Sequence, residues 1–268
     1  MPDLIDSHCH LDAKGLQPRL PAVARQARIS GVRGVITAGV CPQSWPEQFQ
    51  AGARFADSGV RVWHVLGTHP WWVEYQTCEQ AAQALEQALH SYADSVIGVG
   101  EIGLDFARND LDVAQQNALF TAQLAVANRF GLPVVLHERQ SADRLLYWLR
   151  RKPHWGGVVH GFSGSIQQAW QFIDQGFYLG VGNAVTHPRA TRLQRMLKAL
   201  PVTSLLLETD APNQPGYRHR GAMSRPAHLR ENLNALAALR GCSEQELAAQ
   251  LLENTQALFA IDLTERLS

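Results

Sequence analysis

The chain alternates throughout its length between short apolar runs rich in β-branched residues and longer stretches with Ala, Leu and Gln at helical spacing. The runs recur every 25–35 residues or so, which is roughly the size of one βα unit. The predicted strands are Leu4–Asp6, Gly34–Ala38, Val62–Gly67, Val96–Glu101, Pro133–His137, Gly157–His160, Phe177–Gly180 and Leu205–Thr209. About eight such units in 268 residues predict an α/β protein with a (β/α)8 TIM barrel rather than an open sheet.

The intervening stretches read as amphipathic helices, for example 79–92 and 111–130, and two final helices are expected near 225–239 and 244–259. Several of these stretches end at a glycine suited to a left-handed cap. These glycines are Gly31, Gly59, Gly131 and Gly176. No linker or low-complexity segment interrupts the pattern, so we expect one domain over residues 1–268.

Composition excludes several classes of protein. Basic and acidic residues balance at 24 each, which excludes a histone-like polyelectrolyte but permits a local basic patch. With 46% hydrophobic and 18% charged residues, the chain is not expected to be disordered. Apolar runs fall short of a membrane span, and acidic Asp3 near the start argues against a signal peptide. The apolar runs thus indicate a protein that does not act at a membrane. The four cysteines are widely spaced, without the pairs typical of a disulfide framework, so we expect a cytoplasmic protein.

Polar side chains stand at or just beyond the ends of most predicted strands. They are His8, His10, His69, Glu101, His137, His160 and Asp210. In a TIM barrel the carboxyl ends of the strands open at one mouth, where the active site lies. His8 and His10 are two residues apart on a strand, so their side chains point to the same face and could hold one ion. A His-x-His pair by itself is only weak evidence for a metal site.

As a set, these residues indicate a metal centre. Neutral imidazole is the commonest metal ligand, and a carboxylate such as Glu101 can bridge two cations. Strand eight neighbours strand one in a closed barrel, so Asp210 is expected beside His8 and His10, as a ligand and as an acceptor of the proton of the attacking water. Together His8, His10, Glu101, His137, His160 and Asp210 suit two divalent ions roughly 3.5–4 Å apart. Zinc, cobalt and manganese suit the histidines better than magnesium does, but the identity stays open.

The segment from Gly98 to Gly103 matches the dinucleotide fingerprint Gly-x-Gly-x-x-Gly. That fingerprint requires a helix to open at its third glycine. Here the helical pattern starts only near Leu111, so we read the segment as the fourth strand and expect no nucleotide cofactor.

Several segments together carry a resemblance. They are Asp6-Ser7-His8-Cys9-His10-Leu11-Asp12, Gly67-Thr68-His69-Pro70, Gly100-Glu101-Ile102-Gly103-Leu104-Asp105-Phe106, His137-Glu138-Arg139, His160-Gly161-Phe162-Ser163-Gly164, Glu208-Thr209-Asp210-Ala211-Pro212 and Asn254-Thr255. In this order they resemble the TatD family of metal-dependent deoxyribonucleases, within the amidohydrolase-like barrels. The resemblance implies that one metal is held by His8, His10, Glu101 and Asp210. It implies a second metal at Glu101, His137 and His160, and hydrolysis of DNA phosphodiesters, often from the 3′ end.

Two departures from the family pattern lie near the mouth, where they bear on substrate choice rather than on the metals. Glu138 stands where a small or polar residue is usual, and Trp71-Trp72 follow Gly-Thr-His-Pro. With Tyr75 these tryptophans form an aromatic cluster that either stacks an unpaired base or, as we slightly prefer, packs a loop.

Further residues are candidates for binding substrate or for orienting the ligands. His69 is expected to bind a substrate phosphate or to support a neighbouring ligand, and Arg139 lies in the matching stretch after His137. Arg220 and Arg225 follow strand eight, where an arginine fork suits phosphate, although a solvated loop explains them equally well. Glu208 and Asp105 are expected to orient metal ligands.

Three functions remain open. The first is a two-metal nuclease with DNA as substrate, and the second is a hydrolase of C–N or C–O bonds, in ester, lactone or amide small molecules. Many relatives of the second kind use a carboxylated lysine where this chain has Glu101, and the chain has no lysine between Lys14 and Lys152. The third is a non-catalytic binding barrel, which the complete ligand set disfavours. The oligomeric state does not follow from the sequence.

Overall fold

The computed structural model describes residues 1–75 and 77–263 and contains eight strands in one sheet, in the order β1 to β8. The strands are β1 (Leu4–Cys9), β2 (Val32–Ala38), β3 (Arg61–Leu66), β4 (Val96–Asp105), β5 (Val134–Arg139), β6 (Gly157–Val159), β7 (Phe177–Val181) and β8 (Leu205–Leu207). The pairs β1/β2, β3/β4, β4/β5, β5/β6 and β6/β7 run parallel. Cys9 forms a parallel bridge with Ala211, just beyond β8, so the first and last strands are neighbours.

A helix follows every strand, and a ninth helix follows the last βα unit. The helices are α1 (Leu20–Ile29), α2 (Trp45–Ala56), α3 (Cys78–Ser91), α4 (Val113–Phe130), α5 (Ala142–Leu149), α6 (Ile166–Asp174), α7 (Thr191–Ala199), α8 (Leu229–Arg240) and α9 (Glu244–Phe259). The predicted (β/α)8 TIM barrel is therefore confirmed.

Local sequence chemistry explains the helix boundaries. Asp112 begins α4 by accepting a hydrogen bond from the backbone of Gln115 at 2.7 Å, and Ser243 begins α9 through Glu246 at 3.2 Å. At the other end of α4, Gly131 has φ 69°, the left-handed conformation expected of a glycine cap. The expected caps at Gly31, Gly59 and Gly176 have positive φ as well.

Several predicted boundaries shift: β1 continues past Asp6 to Cys9, β5 continues past His137 to Arg139, and β8 ends at Leu207 rather than Thr209. β4 continues past Glu101 to Asp105, because Gly103 allows close contact with β5: a Cβ there would lie 2.1 Å from the carbonyl oxygen of His137. α8 begins at Leu229 rather than near Arg225, because Pro226–His228 forms a 3-10 turn first. The helix after the glycine-rich segment begins at Val113, so Gly103 does not open a helix.

The described part of the chain forms two compact units. Unit 1 comprises Met1–Thr37, Gln48–Trp63 and the described part of Gly180–Ser268. In it α9 packs on β1 and β8, and apolar side chains such as Leu233 and Leu251 are buried. Burial of each such leucine contributes about 1.5–3 kcal/mol to folding.

Unit 2 comprises Ala38–Glu47 and His64–Leu179. Its β4 and β5 pair closely, and α3 packs against α4. A cluster of Val73, Ala81, Leu111 and Leu119 lies beside these helices, with Cys78 packed against it. A single domain over 1–268 stays a prediction, and residues 264–268 lie outside the described part. None of the helices in the described ranges is long and apolar enough to cross a lipid bilayer.

Candidate metal centre

In unit 1, two imidazoles and a carboxylate meet where β1 and β8 end. Nε2 of His8 lies 3.7 Å from Oδ1 of Asp210, and Nε2 of His10 lies 3.5 Å from the same oxygen. One ligand atom from each of the three lies within 4.8 Å of the others, with His8 and Asp210 buried. The predicted neighbourhood of Asp210 and the two histidines is therefore observed. We call these three residues the Asp210 cluster.

Backbone pairing explains why residues so distant in sequence meet. The amide of Asp210 donates to the carbonyl of His8 at 2.9 Å, and the amide of His10 donates to the carbonyl of Ala211 at 2.7 Å. Asp210 has φ 52°, a left-handed conformation that costs a non-glycine residue about 1–3 kcal/mol and tends to occur at functional sites.

Asp6, which the sequence analysis did not select, fastens the same two strands. Its Oδ1 accepts from the backbone of Thr209 at 2.9 Å, and its Oδ2 is 2.6 Å from the Thr209 hydroxyl. Burial raises the pKa of Asp6 to about 8, with a smaller contribution from the charge of Glu208, although the hydrogen bonds from Thr209 act in the opposite sense. A signal was present in the sequence, since Asp6 precedes His8 by two residues on one strand.

The carboxylate of Asp210 is also held by its own loop. Gln214 donates to its Oδ2 at 2.7 Å, and Asn213 donates to its Oδ1 at 3.3 Å. Buried Asn183 supports this loop by donating to the carbonyl oxygens of Thr209 at 2.8 Å and Gln214 at 3.0 Å. The amides of this loop therefore orient the carboxylate toward the two histidines.

In unit 2, the imidazoles of three histidines lie around one carboxylate. Oε1 of Glu101, on β4, lies 2.7 Å from Nδ1 of His137, 2.8 Å from Nε2 of His160 and 3.4 Å from Nε2 of His69. The three histidines stand at the ends of β5, β6 and β3, and all four residues are buried. Ligand atoms of His69, Glu101 and His137 lie within 4.8 Å of one another. We call these four residues the Glu101 cluster.

Asp105 orients His137 from the side opposite Glu101. Its Oδ2 lies 3.2 Å from Nε2 of His137 and accepts from Nε1 of Trp71 at 2.7 Å. Burial opposes ionisation of Asp105, but the bonds from His137 and Trp71 outweigh it and lower its pKa to about 2. Burial likewise opposes the charged form of His137, yet Asp105 and Glu101 raise its pKa. The carboxylate thus turns Nδ1 of His137 toward Glu101.

Two buried glutamines of α4 hold the backbone of this cluster, and sequence reasoning missed both. The side-chain amide of Gln116 pairs with the backbone of Asp105, at 2.8 Å to N and 3.2 Å to O. Gln123 pairs in the same way with Thr68, at 2.7 Å and 2.9 Å, immediately before His69. The signal is their spacing of seven residues, which puts both on one face of α4.

The other predicted residues occupy different settings. Arg139 ends β5 and is exposed. Exposed Arg220 lies over the ring of Tyr217 at 4.3 Å, whereas Arg225 donates to Gln26 of α1 at 2.9 Å. Glu208 is buried against Gly180, where a Cβ would lie 2.1 Å from its Oε2. The roles assigned to these residues stay predictions.

The aromatic residues after β3 make ring contacts within their loop but are also partly exposed, Trp71 at 44% and Tyr75 at 72%. The ring of Trp71 lies 5.0 Å from His69, centroid to centroid, and its indole donates to Asp105, while Trp72 and Tyr75 pack together at 5.1 Å. Trp71 therefore contacts the Glu101 cluster, and the choice between loop packing and base stacking for these rings stays a prediction.

Both clusters have the donor chemistry of a divalent metal site. Imidazole nitrogens combined with carboxylate oxygens are the ligands of zinc, manganese and related ions. The ligand atoms converge within 4.8 Å in each trio, and buried carboxylates adjoin the imidazoles. These residues therefore fit a divalent metal ion.

Comparison with known proteins points to the same chemistry. The family model for TatD-related DNases matches residues 5–260. An uncharacterized metal-dependent hydrolase, YjjV of Escherichia coli K12, is 38% identical over 259 residues, which are 96% of this chain and 98% of that protein. The 3′-5′ ssDNA/RNA exonuclease TatD of Klebsiella pneumoniae is 35% identical over 252 residues, covering 90% of this chain and 92% of that one.

Solved structures agree on the fold. The crystal structure of the E. coli TatD homologue YjjV matches with a TM-score of 0.88 at 36% identity, over 97% of this chain and 98% of that chain. An organophosphorus hydrolase from Deinococcus radiodurans matches at TM-score 0.63 and 13% identity, over 96% of this chain and 92% of that chain, and so shares the fold alone. Family model, relatives and clustered ligands lead to one conclusion: the chain is a metal-dependent hydrolase and belongs to the TatD family.

Proposed function

We propose that this hydrolase is a deoxyribonuclease that removes nucleotides from the 3′ end of DNA with two divalent cations. The observation that carries the proposal is the position of Glu101, whose Oε1 lies within 3.4 Å of a nitrogen of each of three buried histidines. Such a carboxylate, ringed by imidazoles, suits a cation shared with a second site. The Klebsiella relative is named a 3′-5′ exonuclease on single-stranded DNA and RNA, which supports a single-stranded nucleic acid as the substrate.

In this proposal His8, His10 and Asp210 hold one cation, His137 and His160 hold the other, and Glu101 serves both. The fold supports their cooperation, because the carboxyl ends of all barrel strands open on one face. Bound divalent cations would supply Lewis acidity, lowering the pKa of a water molecule and neutralising charge on the phosphate oxygens. The pair could be zinc, manganese or magnesium.

Asp210 has the setting required of a proton acceptor. Its two oxygens receive hydrogen bonds from neutral amides of Asn213 and Gln214, which fix its orientation without neutralising it. It can take the proton released as water attacks the phosphorus. Asp105 keeps the ring of His137 in one orientation, and the α4 glutamines keep Asp105 and His69 in place. The protein therefore supplies positioning and proton transfer.

The cysteines support a cytoplasmic location for this activity. All four cysteines, Cys9, Cys41, Cys78 and Cys242, are free. Unpaired thiols are typical of a reducing environment, which supports the cytoplasm as the place of action.

The test is a cleavage assay on oligonucleotides after chelation and restoration of single metals. We expect a 5′-labelled single strand with a free 3′ hydroxyl to shorten stepwise with manganese, zinc, cobalt or magnesium, but not in chelator. A 3′-blocked strand should resist, and RNA and duplex DNA of the same sequence define the preferred strand. Ester, lactone and amide substrates are assayed in parallel. Hydrolysis of one of these, with all nucleic acids left intact under every metal, would refute the nuclease.

A further inference from the structure

Charge is distributed unevenly along this neutral chain. Residues 175–230 contain only two acidic side chains, Glu208 and Asp210, and both are buried. The basic residues of the same stretch are Arg189, Arg192, Arg195, Lys198, Arg218, Arg220, Arg225 and Arg230. Since the whole chain has 24 basic and 24 acidic residues, this segment is a strongly positive part of a neutral protein.

The loops that follow β7 and β8 are joined into one surface. The amide of Tyr217 donates to the hydroxyl of Thr186 at 2.9 Å, and Nε2 of His187 lies 3.1 Å from the carbonyl oxygen of Pro215. The rings of His187 and Tyr217 pack edge to face at 6.0 Å. Because α7 starts at Thr191, Arg189 lies at the end of the β7 loop and Arg192 lies in the first turn of α7, and both are exposed.

Tyr217 is an exposed aromatic residue of this surface. It is 41% exposed, and the guanidinium of Arg220 lies 4.3 Å from its ring centroid. Arg218, between them, is exposed. An exposed aromatic ring flanked by arginines suits an unpaired base and its phosphates, since the ring can stack on the base and each guanidinium can donate to phosphate oxygens.

The surface is tied to the Asp210 cluster by short connections. Tyr217 follows Asp210 by seven residues in the chain, and Gln214 between them bonds the Asp210 carboxylate. Asn183, from the β7 loop, donates to Gln214 and to Ser224. A strand lying on these loops would therefore reach the carboxylate without crossing an acidic exposed side chain of this segment.

We propose that Arg189, Arg192, Tyr217 and Arg218, together with Arg220, form a binding face for single-stranded nucleic acid adjoining the metal centre. The arginines bind backbone phosphates, and Tyr217 stacks on a base. This inference rests on the proposed nuclease function and specifies which surface of the protein holds the substrate. We name these five residues the arginine face.

The test measures binding by fluorescence anisotropy of a 12-nucleotide single strand in chelator, so that catalysis does not contribute. The double variant Arg192→Ser/Arg218→Ser should weaken binding about tenfold, and the slope of log K against log salt should fall by about 1.4, since each phosphate contact on a single strand contributes about 0.7. Tyr217→Ala should weaken binding roughly fivefold or more without altering that slope, whereas Tyr217→Phe should bind as wild type.

Arg150→Ser is the matched control, because it removes an equal charge from an exposed arginine at the C-terminal end of α5. It should keep the wild-type affinity and slope. If the wild type binds and cleaves the strand but the double variant keeps its affinity and slope, the arginine face is wrong and the nuclease stands. If the wild type neither binds nor cleaves any strand, both proposals fall.

Discussion

The two ligand clusters differ in how firmly the protein holds them. Around Glu101 the contacts from His137, His160 and His69 are 2.7, 2.8 and 3.4 Å, whereas the two histidine contacts of Asp210 are 3.5 and 3.7 Å. Glu101 lies within strand β4, but Asp210 lies beyond β8 in a left-handed conformation.

Their supports differ in the same sense. The Glu101 cluster is backed by Asp105 and by two buried glutamines of α4. The carboxylate of Asp210 accepts from Gln214 of its own loop, and buried Asn183 supports that loop. This contrast indicates a division of labour. In the proposed mechanism the Glu101 cluster anchors cations, and the Asp210 cluster supplies a carboxylate, on a loop beyond β8, that accepts the proton of the attacking water.

The largest loss of activity and of bound metal is expected from Glu101→Ala. Because three imidazoles gather around this one carboxylate, its removal should eliminate both ions and lower kcat/KM about 10⁴-fold, the equivalent of several kcal/mol of Lewis-acid stabilisation. Metal content by mass spectrometry and cleavage assays on the same preparation measure the two losses. A variant that keeps one tightly bound ion and near wild-type activity would break the proposed link between the clusters.

Asp210→Asn should separate anchoring from proton transfer. The amide keeps the shape of the side chain but cannot accept the proton of the attacking water, so we expect kcat to fall about 10³-fold. The ion of the Glu101 cluster should remain, as measured by metal content. His10→Ala serves as the control for losing a ligand without losing the base. Equal loss of every ion in Asp210→Asn would contradict the division of labour.

A smaller effect is expected from Asp105→Asn. The amide no longer fixes the orientation of His137 as a carboxylate does, and loss of such supporting partners typically costs 10- to 100-fold in metal affinity or activity. Titration of the chelated protein with zinc measures the affinity. Trp71→Phe, which removes only the indole donor to Asp105, should give a milder loss in the same direction. An unchanged affinity in both variants would show that the anchor does not depend on Asp105.

The smallest effect on activity is expected from His64→Gln. This variant tests whether burial lowers the pKa of a histidine of unit 2 that lies outside the Glu101 cluster. Burial lowers the pKa of His64 to about 4, opposite to the raised pKa of His137. Between about pH 6.5 and 4 the unfolded chain binds a proton at His64 while the folded chain does not. Acidification through this window therefore removes up to about 3 kcal/mol of stability.

Urea unfolding of the wild type and His64→Gln at several pH values measures this difference. The variant should lose less stability than the wild type as the pH falls, and its activity near neutral pH should be unchanged. Parallel stability curves for the two proteins would show that His64 is not neutral in the folded state.

The sequence was most informative where chemistry and strand order coincide. Eight βα units placed Asp210 beside His8, and the structure joins them through the bond from the amide of Asp210 to the carbonyl of His8. Helix ends were equally predictable, because a glycine such as Gly131 adopts the left-handed cap conformation at lower cost than other residues.

The residues that hold the two clusters in place through hydrogen bonds could not be predicted in the same way. Gln123 bonds Thr68, a residue 55 positions away, and a glutamine in a helical stretch looks like an ordinary helix former. Asp6 shares a strand face with His8, but its supporting role depends on its partner Thr209, which is 203 positions away. Such pairings depend on which faces of distant elements meet, which periodicity does not encode.

Anomalous diffraction from manganese-soaked crystals tests the central claim most directly. The account predicts two peaks roughly 3.5–4 Å apart, one beside His8, His10 and Asp210 and the other beside His137 and His160, with Glu101 reaching both. Density for no ion among these six side chains, or for ions bound only elsewhere on the protein, would contradict it.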